Sequence, residues 1–186
     1  MDSLLIVPPR GAQILLLALV LGAALYDVRY RRIPNWLCLA GAILGVSLHS
    51  YFGEPEFGFW FSFKGLALGF GVYFVFYALR AMGAGDVKLM AAVGSIVGWR
   101  DWIGIFVFTA IIGGIAAVVV AVARKRLGET LWNVTFILSE LKRGRPAYLG
   151  KEELDVKNPK SVGLPHGAII AVASILFLGL SASAVK

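Results

Sequence analysis

The sequence predicts an all-α integral membrane protein with six transmembrane helices. Three observations carry that prediction. Of the 186 residues, 59% are hydrophobic and 16% charged; the mean hydropathy is +0.79; and the apolar residues fall into long runs separated by charged connections. A soluble domain has an apolar share of about 45–50%, so this chain is built for lipid, and the bilayer is its first expected partner. The net charge of +7 does not point to nucleic acid, because the basic residues cluster in loops between apolar runs, as the positive-inside rule requires of cytoplasmic connections. One cysteine, Cys38, lies inside a predicted span, so the chain alone builds neither a disulfide framework nor a cysteine-rich zinc site. No metal and no cofactor are expected.

The first span covers about 11–27. Asp2 precedes the first basic residue, Arg10, and no small-x-small cleavage site follows the apolar stretch, so the run reads as a permanent helix rather than a signal peptide. It closes on Asp27-Val28-Arg29-Tyr30-Arg31-Arg32, a basic cluster that assigns this end to the cytoplasm. Ile33-Pro34-Asn35 then turns the chain, since proline restricts the residue before it and suits a first helical position, and a second span runs from 35 to 52. Glu54, Pro55 and Glu56 form an acidic turn on the far side.

The third span, 57–82, returns to the cytoplasm, with Lys64 able to snorkel and Arg80 marking the exit. A short fourth run, 86–99, follows Gly83-Ala84-Gly85-Asp86-Val87-Lys88. At about 1.5 Å per residue it measures roughly 20 Å against a hydrocarbon core of about 30 Å, so either the bilayer thins locally or, the reading favoured here, the preceding segment dips inward and carries Asp86 below the interface. Arg100-Asp101 makes an outer turn, Trp99 and Trp102 read as interface anchors, and the fifth span covers 102–123. Arg124-Lys125-Arg126 again signals cytoplasm. The connection 124–165 is polar, but Leu127, Leu131, Val134, Leu138 and Leu141 fall at helical spacing, so its start is an amphipathic surface segment or a continuation of the fifth helix. A sixth span, 166–185, completes a single polytopic domain over 1–186 with both termini on the outer side.

Two acids stand out. Asp27 ends the first run and Asp86 opens the fourth, and the alternating charge pattern puts both on the cytoplasmic side. An ionisable residue near membrane depth costs roughly 2.5–3.5 kcal/mol at a helix centre and is usually functional or sits at a helix end. Two carboxylates around one water can hydrolyse an amide, one taking a proton from the water and the other donating to the scissile carbonyl. Like charges that close titrate as a pair in two steps, which implies a bell-shaped rate profile. By helix-dipole position Asp86 is the base and Asp27 the acid, although reversed roles leave the dyad intact. Gly83 and Gly85 would let the chain bend and a substrate backbone approach. Simpler readings stand beside these: Asp86 as a helix N-cap, Asp27 paired with an arginine at the interface, Pro34 and Asn35 as a helix start with Asn35 also able to bond near Asp27, and Lys88 either neutralising the site or obeying the positive-inside rule. Arg29, Arg31 and Arg32 read as topology and headgroup contacts, and Cys38 and His49 as packing residues.

Taken together, Asp27-Val28-Arg29-Tyr30-Arg31-Arg32-Ile33-Pro34-Asn35 and Gly83-Ala84-Gly85-Asp86-Val87-Lys88 resemble the two signature stretches of the prepilin peptidases, the bacterial GxGD intramembrane aspartic proteases. Pro165-His166-Gly167 resembles that family's Pro-Tyr-Gly, with histidine as a departure. The resemblance implies that Asp27 and Asp86 are the catalytic aspartates, supported by Gly83, Gly85, Lys88, Pro34 and Asn35. It also implies an inner-membrane enzyme that removes a short cytoplasmic leader from pilin or pseudopilin precursors. Larger members also N-methylate the new terminus and carry paired cysteines between the first two helices. That interval is only a few residues here, so the chain resembles the short, peptidase-only form of Flp-type tight-adherence pili. Acids at Glu152, Glu153 or Asp155 are candidates to meet a basic leader. The rival readings are an ion- or proton-coupled transporter and a non-catalytic scaffold of a pilus or secretion machine; oligomeric state is left open.

Overall fold

A computed structural model of the chain describes residues 10–52, 58–125, 127–142 and 165–184. They form α1 (Arg10–Tyr30), α2 (Asn35–Phe52), α3 (Phe59–Ala78), α4 (Ala84–Ala123), α5 (Leu127–Lys142) and α6 (His166–Ala184), with no strand among the described residues. Among the described residues four helices are long and apolar enough to cross a membrane: Arg10–Tyr30, Phe59–Ala78, Ala84–Ala123 and His166–Ser183. The chain is an all-helical integral membrane protein. The acidic turn at 54–56, the loop acids Glu152, Glu153 and Asp155, and both termini lie outside the described residues.

α4 holds the key to the architecture. Its 40 residues break at Gly98, whose φ of 77° and ψ of 175° are not helical. The Trp102 indole Nε1 donates to the Met90 carbonyl at 3.0 Å, although twelve residues of straight helix would separate them by about 18 Å. The chain therefore folds back at Gly98, and the short fourth run and the fifth run are the two limbs of α4. The turn expected at Arg100-Asp101 is displaced to Gly98. A positive φ favours glycine, and a Cβ at this position would collide with the Phe61 ring. Both Arg100 and Asp101 are helical, and Asp101 is buried. Trp102 is likewise a core residue at 1% exposure rather than an interface anchor; Trp99 stays partly exposed, with the Arg100 guanidinium 5.2 Å from its ring.

The first limb is the centre of the bundle, and Leu89–Val97 is buried throughout. α3 runs antiparallel to it, with Gly65 on the Gly94 backbone, Gly69 on Met90, and the Ser62 hydroxyl bonding the Ser95 carbonyl. α2 runs parallel, with Gly45 on Ser95 and Ile96 and the His49 imidazole Nε2 bonding the Ile96 carbonyl at 2.7 Å. α1 packs antiparallel on α2, Leu19 at Gly41 and Leu37 at Gly22. Phe177 of α6 fills the space at Gly104 of the second limb. A helix sheathed by protein has no hydrocarbon thickness to match, which resolves the apparent shortness of the first limb.

Helix ends differ from the sequence reading in one consistent way. α3 stops at Ala78, short of Met82, because Arg80 takes a left-handed conformation (φ 55°) and the Ala81 N–H returns to the Phe76 carbonyl, a closure that satisfies the last carbonyls. Arg31 after α1 and Lys125 after α4 adopt the same conformation. The latter break separates α4 from α5, so the amphipathic segment is a helix of its own, with Leu127, Trp132 and Val134 exposed.

Gly98→Ala should therefore destabilise the protein by about 2 kcal/mol or more, from left-handed strain and displacement of Phe61. Gly114→Ala, where a Cβ meets open space, should be neutral or slightly stabilising. Thermal unfolding in detergent checks this: equal midpoints for the two variants would contradict the fold-back at Gly98.

Candidate active site

The buried stripe of α1 is Ala12, Leu16, Leu19, Val20, Ala23 and Asp27, spaced at three and four residues as one helix face requires. Asp27 is thus presented to the bundle interior, 8% exposed. Its Oδ2 accepts a 2.8 Å hydrogen bond from the Gly167 backbone N–H, in the first turn of α6. A Cβ at Gly167 would stand 3.1 Å from both Asp27 Cβ and Oδ2, so this close approach depends on glycine. The alternative of a simple surface pairing with an arginine does not describe Asp27: it faces the core and is bound to backbone.

Asp86 is placed by a different device. Gly83 caps α4 with extended backbone (φ −80°, ψ 154°), and Asp86 is the third residue of the helix. Its Oδ2 accepts the Gly83 N–H at 3.2 Å, the carboxylate half of a capping box. Asp86 is therefore not the N-cap itself. The expectation that the glycines bend the chain also needs correction. Gly83 has an ordinary φ, and Gly85 serves close packing, since a Cβ there would stand 3.2 Å from Ile33 Cβ of the α1–α2 turn.

Dipole position alone set Asp86 apart as the anion. In the structure both carboxylates take an N–H from a helix amino terminus, Asp86 from α4 and Asp27 from α6. The field of α6 opposes that of the α1 carboxy terminus at Asp27, so the dipole argument no longer separates their roles.

Pro34 sits just before α2, its carbonyl accepting the Cys38 N–H, and Asn35 is the first helical residue. The Lys88 Nζ donates to Asn35 Oδ1 at 2.9 Å, fastening the start of α2 to the start of α4. Asn35 thus bonds Lys88 rather than Asp27, and Lys88 is a strut as well as a topological charge. Cys38 is buried, and His49 serves packing at the opposite end of the bundle.

A cavity of about 530 Å³ opens where these segments meet. It is lined by Asp27 and Asp86, by Gly83, Gly85, Pro34 and Asn35, and by Ile33, Arg31 and Arg32. The two carboxylates, one from α1 and one from α4, thus open onto the same space. Among the described residues no three His, Cys, Asp or Glu side chains gather as a metal site. Sequence reasoning missed Gly167 and Ile33, and it took Arg31 and Arg32 for headgroup contacts alone. The signal for Gly167 was the Pro165-His166-Gly167 motif, whose distance from Asp27 in the chain hid its place in the site.

A sequence model of the type IV leader peptidase family matches residues 14–118, a stretch that contains both Asp27 and Asp86. A prepilin leader peptidase/N-methyltransferase of Myxococcus xanthus (strain DK1622) is 25% identical over 127 residues, 64% of this chain. The chain spans 37% of the length of that relative. No solved structure matches it significantly. With more than half of its residues covered by the family match, this chain belongs to the type IV leader peptidase family.

Proposed function

We propose that the protein is a prepilin leader peptidase that hydrolyses one peptide bond with Asp27, Asp86 and a water. The observation that carries this reading is the convergence of two acids from separate helices on one cavity at one end of the bundle. In the proposed cycle one carboxylate is ionised and the other protonated. The ionised group takes a proton from water as its oxygen attacks the scissile carbonyl, while the protonated group gives its proton to the carbonyl oxygen. The resulting diol collapses as its nitrogen receives the proton held by the first group and one of its hydroxyls returns a proton to the second, and the C–N bond breaks. Neither acid is assigned a fixed role, because the pair shares one proton.

The substrate is a pilin or pseudopilin precursor whose apolar helix lies in the bilayer and whose leader reaches the cavity. Arg31 and Arg32 line the site, and Arg29, Arg80, Arg124 and Lys125 lie at or just past the carboxy-terminal ends of α1, α3 and α4, which supports a cytoplasmic active site in the inner membrane. α1, α2, α3, the two limbs of α4 and α6 then make six crossings of one polytopic domain, with both termini outside. Only 31–34 separate α1 from α2, leaving no room for the paired-cysteine segment of the methylating members; the chain acts as peptidase without N-methyltransferase activity, in the manner of the Flp-type enzymes. A transporter reading would need a polar path from the cavity to the far end, where Asp101 is buried. The limb between them, Leu89–Val97, is buried and apolar but for Ser95.

Asp27→Asn and Asp86→Asn should each lower leader cleavage by about 10³-fold without loss of membrane-inserted protein, as read by co-expression with candidate pilin precursors. Cleavage that survives both substitutions would sink the chemistry. The wild-type rate should be bell-shaped in pH, because only the singly protonated pair is active; a single sigmoid would contradict a shared proton. Gly167→Ala keeps the N–H but crowds Asp27, and should slow cleavage about tenfold with little change in thermal midpoint.

A further inference from the structure

Behind the two acids lies a second polar pair that the hydrolysis described above does not use. His166, the first residue of α6, reaches back to α3, where its ring centroid stands 6.1 Å from that of Tyr73 at an interplanar angle of 44°. Its Nε2 is buried and has no hydrogen-bond partner. Tyr73 is 1% exposed and packs edge-on against the stacked rings of Trp102 and Phe106, with ring centroids 6.3 and 6.1 Å away. Buried polar groups are almost always paired, and an exception in a native structure calls for an explanation. Here the unpaired imidazole nitrogen has the Tyr73 phenol as its neighbour.

Their surroundings supply the explanation. His166 lies in the field of Asp27, and the adjoining residue, Gly167, holds the Asp27 carboxylate. The imidazole adjoins the residue that binds Asp27, and through the phenol it joins α6 to α3, a helix that bears neither acid.

We propose that His166 and Tyr73 form a hydrogen-bonded positioning pair, directly or through one buried water, that fixes the α6 amino terminus and hence Asp27 relative to Asp86. The inference rests on the two-aspartate reading for its effect on cleavage, but not for the existence of the pair. The ring centroids are 6.1 Å apart, a separation that one bridging water or a direct bond between the ring edges can span. Tyrosine at 166 would supply an O–H in the same region, so it should substitute for histidine where phenylalanine does not.

Two measurements decide the matter. In leader cleavage, His166→Phe and Tyr73→Phe should each slow the reaction about tenfold, the double variant should be no slower than the worse single one, and His166→Tyr should restore most of the rate. Phenylalanine variants that cleave at the wild-type rate, effects that multiply in the double variant, or a tyrosine no better than phenylalanine at 166 would overturn the proposal. The second measurement needs no activity. The chain has two histidines, so imidazole nitrogen-15 spectra of the full-length protein in detergent resolve His166 from His49, with His49→Gln providing the assignment. The His166 Nε2 resonance should move on Tyr73→Phe and stay in place on Phe76→Leu. No movement on Tyr73→Phe would overturn the pair whatever the cleavage result. Conversely, an intact spectroscopic response with cleavage that survives Asp27→Asn and Asp86→Asn would leave the pair standing and remove the aspartate chemistry.

Discussion

The hydrogen bond from the Gly167 N–H to the Asp27 carboxylate is the constraint on which the site depends. It joins residues 140 positions apart, closing the last helix onto the first, and it gives a buried acid the partner without which burial would be prohibitive. A bond to a charged acceptor contributes about 1.5–3 kcal/mol, comparable to the insertion penalty of an acid at membrane depth. That near-balance explains how Asp27 is tolerated on the core face of an apolar helix. A glycine stands opposite it, where a Cβ would come within 3.1 Å of the Asp27 side chain and force it to give by a few tenths of an ångström.

Asp86 reaches the same cavity by local means. Its carboxylate is organised within its own first turn, by Gly83, and its helix is brought to the α1–α2 turn by the missing side chain of Gly85 against Ile33. The Lys88–Asn35 bond adds a polar strut at the rim. One acid is thus fixed by a long-range contact and the other by a capping motif. The rigid element between them is the buried first limb of α4, gripped by α3 through facing glycines and by α2 through Gly45 and His49. Such close backbone approach through small residues is how helices associate where no hydrophobic force acts between them.

Much of this was legible in the sequence. Apolar runs and basic connections gave the helices, and the charge alternation put the end of α1 and the start of α4 at one end of the bundle, where the cavity is found. What the sequence hid were contacts between residues remote in the chain. Gly98 looked like any glycine in an apolar run, and only the Phe61 ring and the return of Trp102 to Met90 show why the chain reverses there instead of at the charged pair 100–101. Trp102 looked like a belt residue because tryptophans favour interfaces, yet the fold-back carries it inside. The GxGD glycines looked like hinges, although one is an N-cap of ordinary φ and the other a packing contact. The dipole argument for distinct acid and base roles failed for the same reason, since it saw α1 and α4 but not the amino terminus of α6.

The central claim is spatial: the side chains at 27 and 86 face one another across a single small aqueous space. Its most direct test is to place cysteines there, Asp27→Cys with Asp86→Cys in a Cys38→Ser background, and to ask whether mercuric ion bridges the two thiols in membranes. The account predicts an intramolecular bridge, as rapid as the one formed by Ile33→Cys with Gly85→Cys, whose positions touch. Bridging at 33 and 85 with none at 27 and 86 would contradict it.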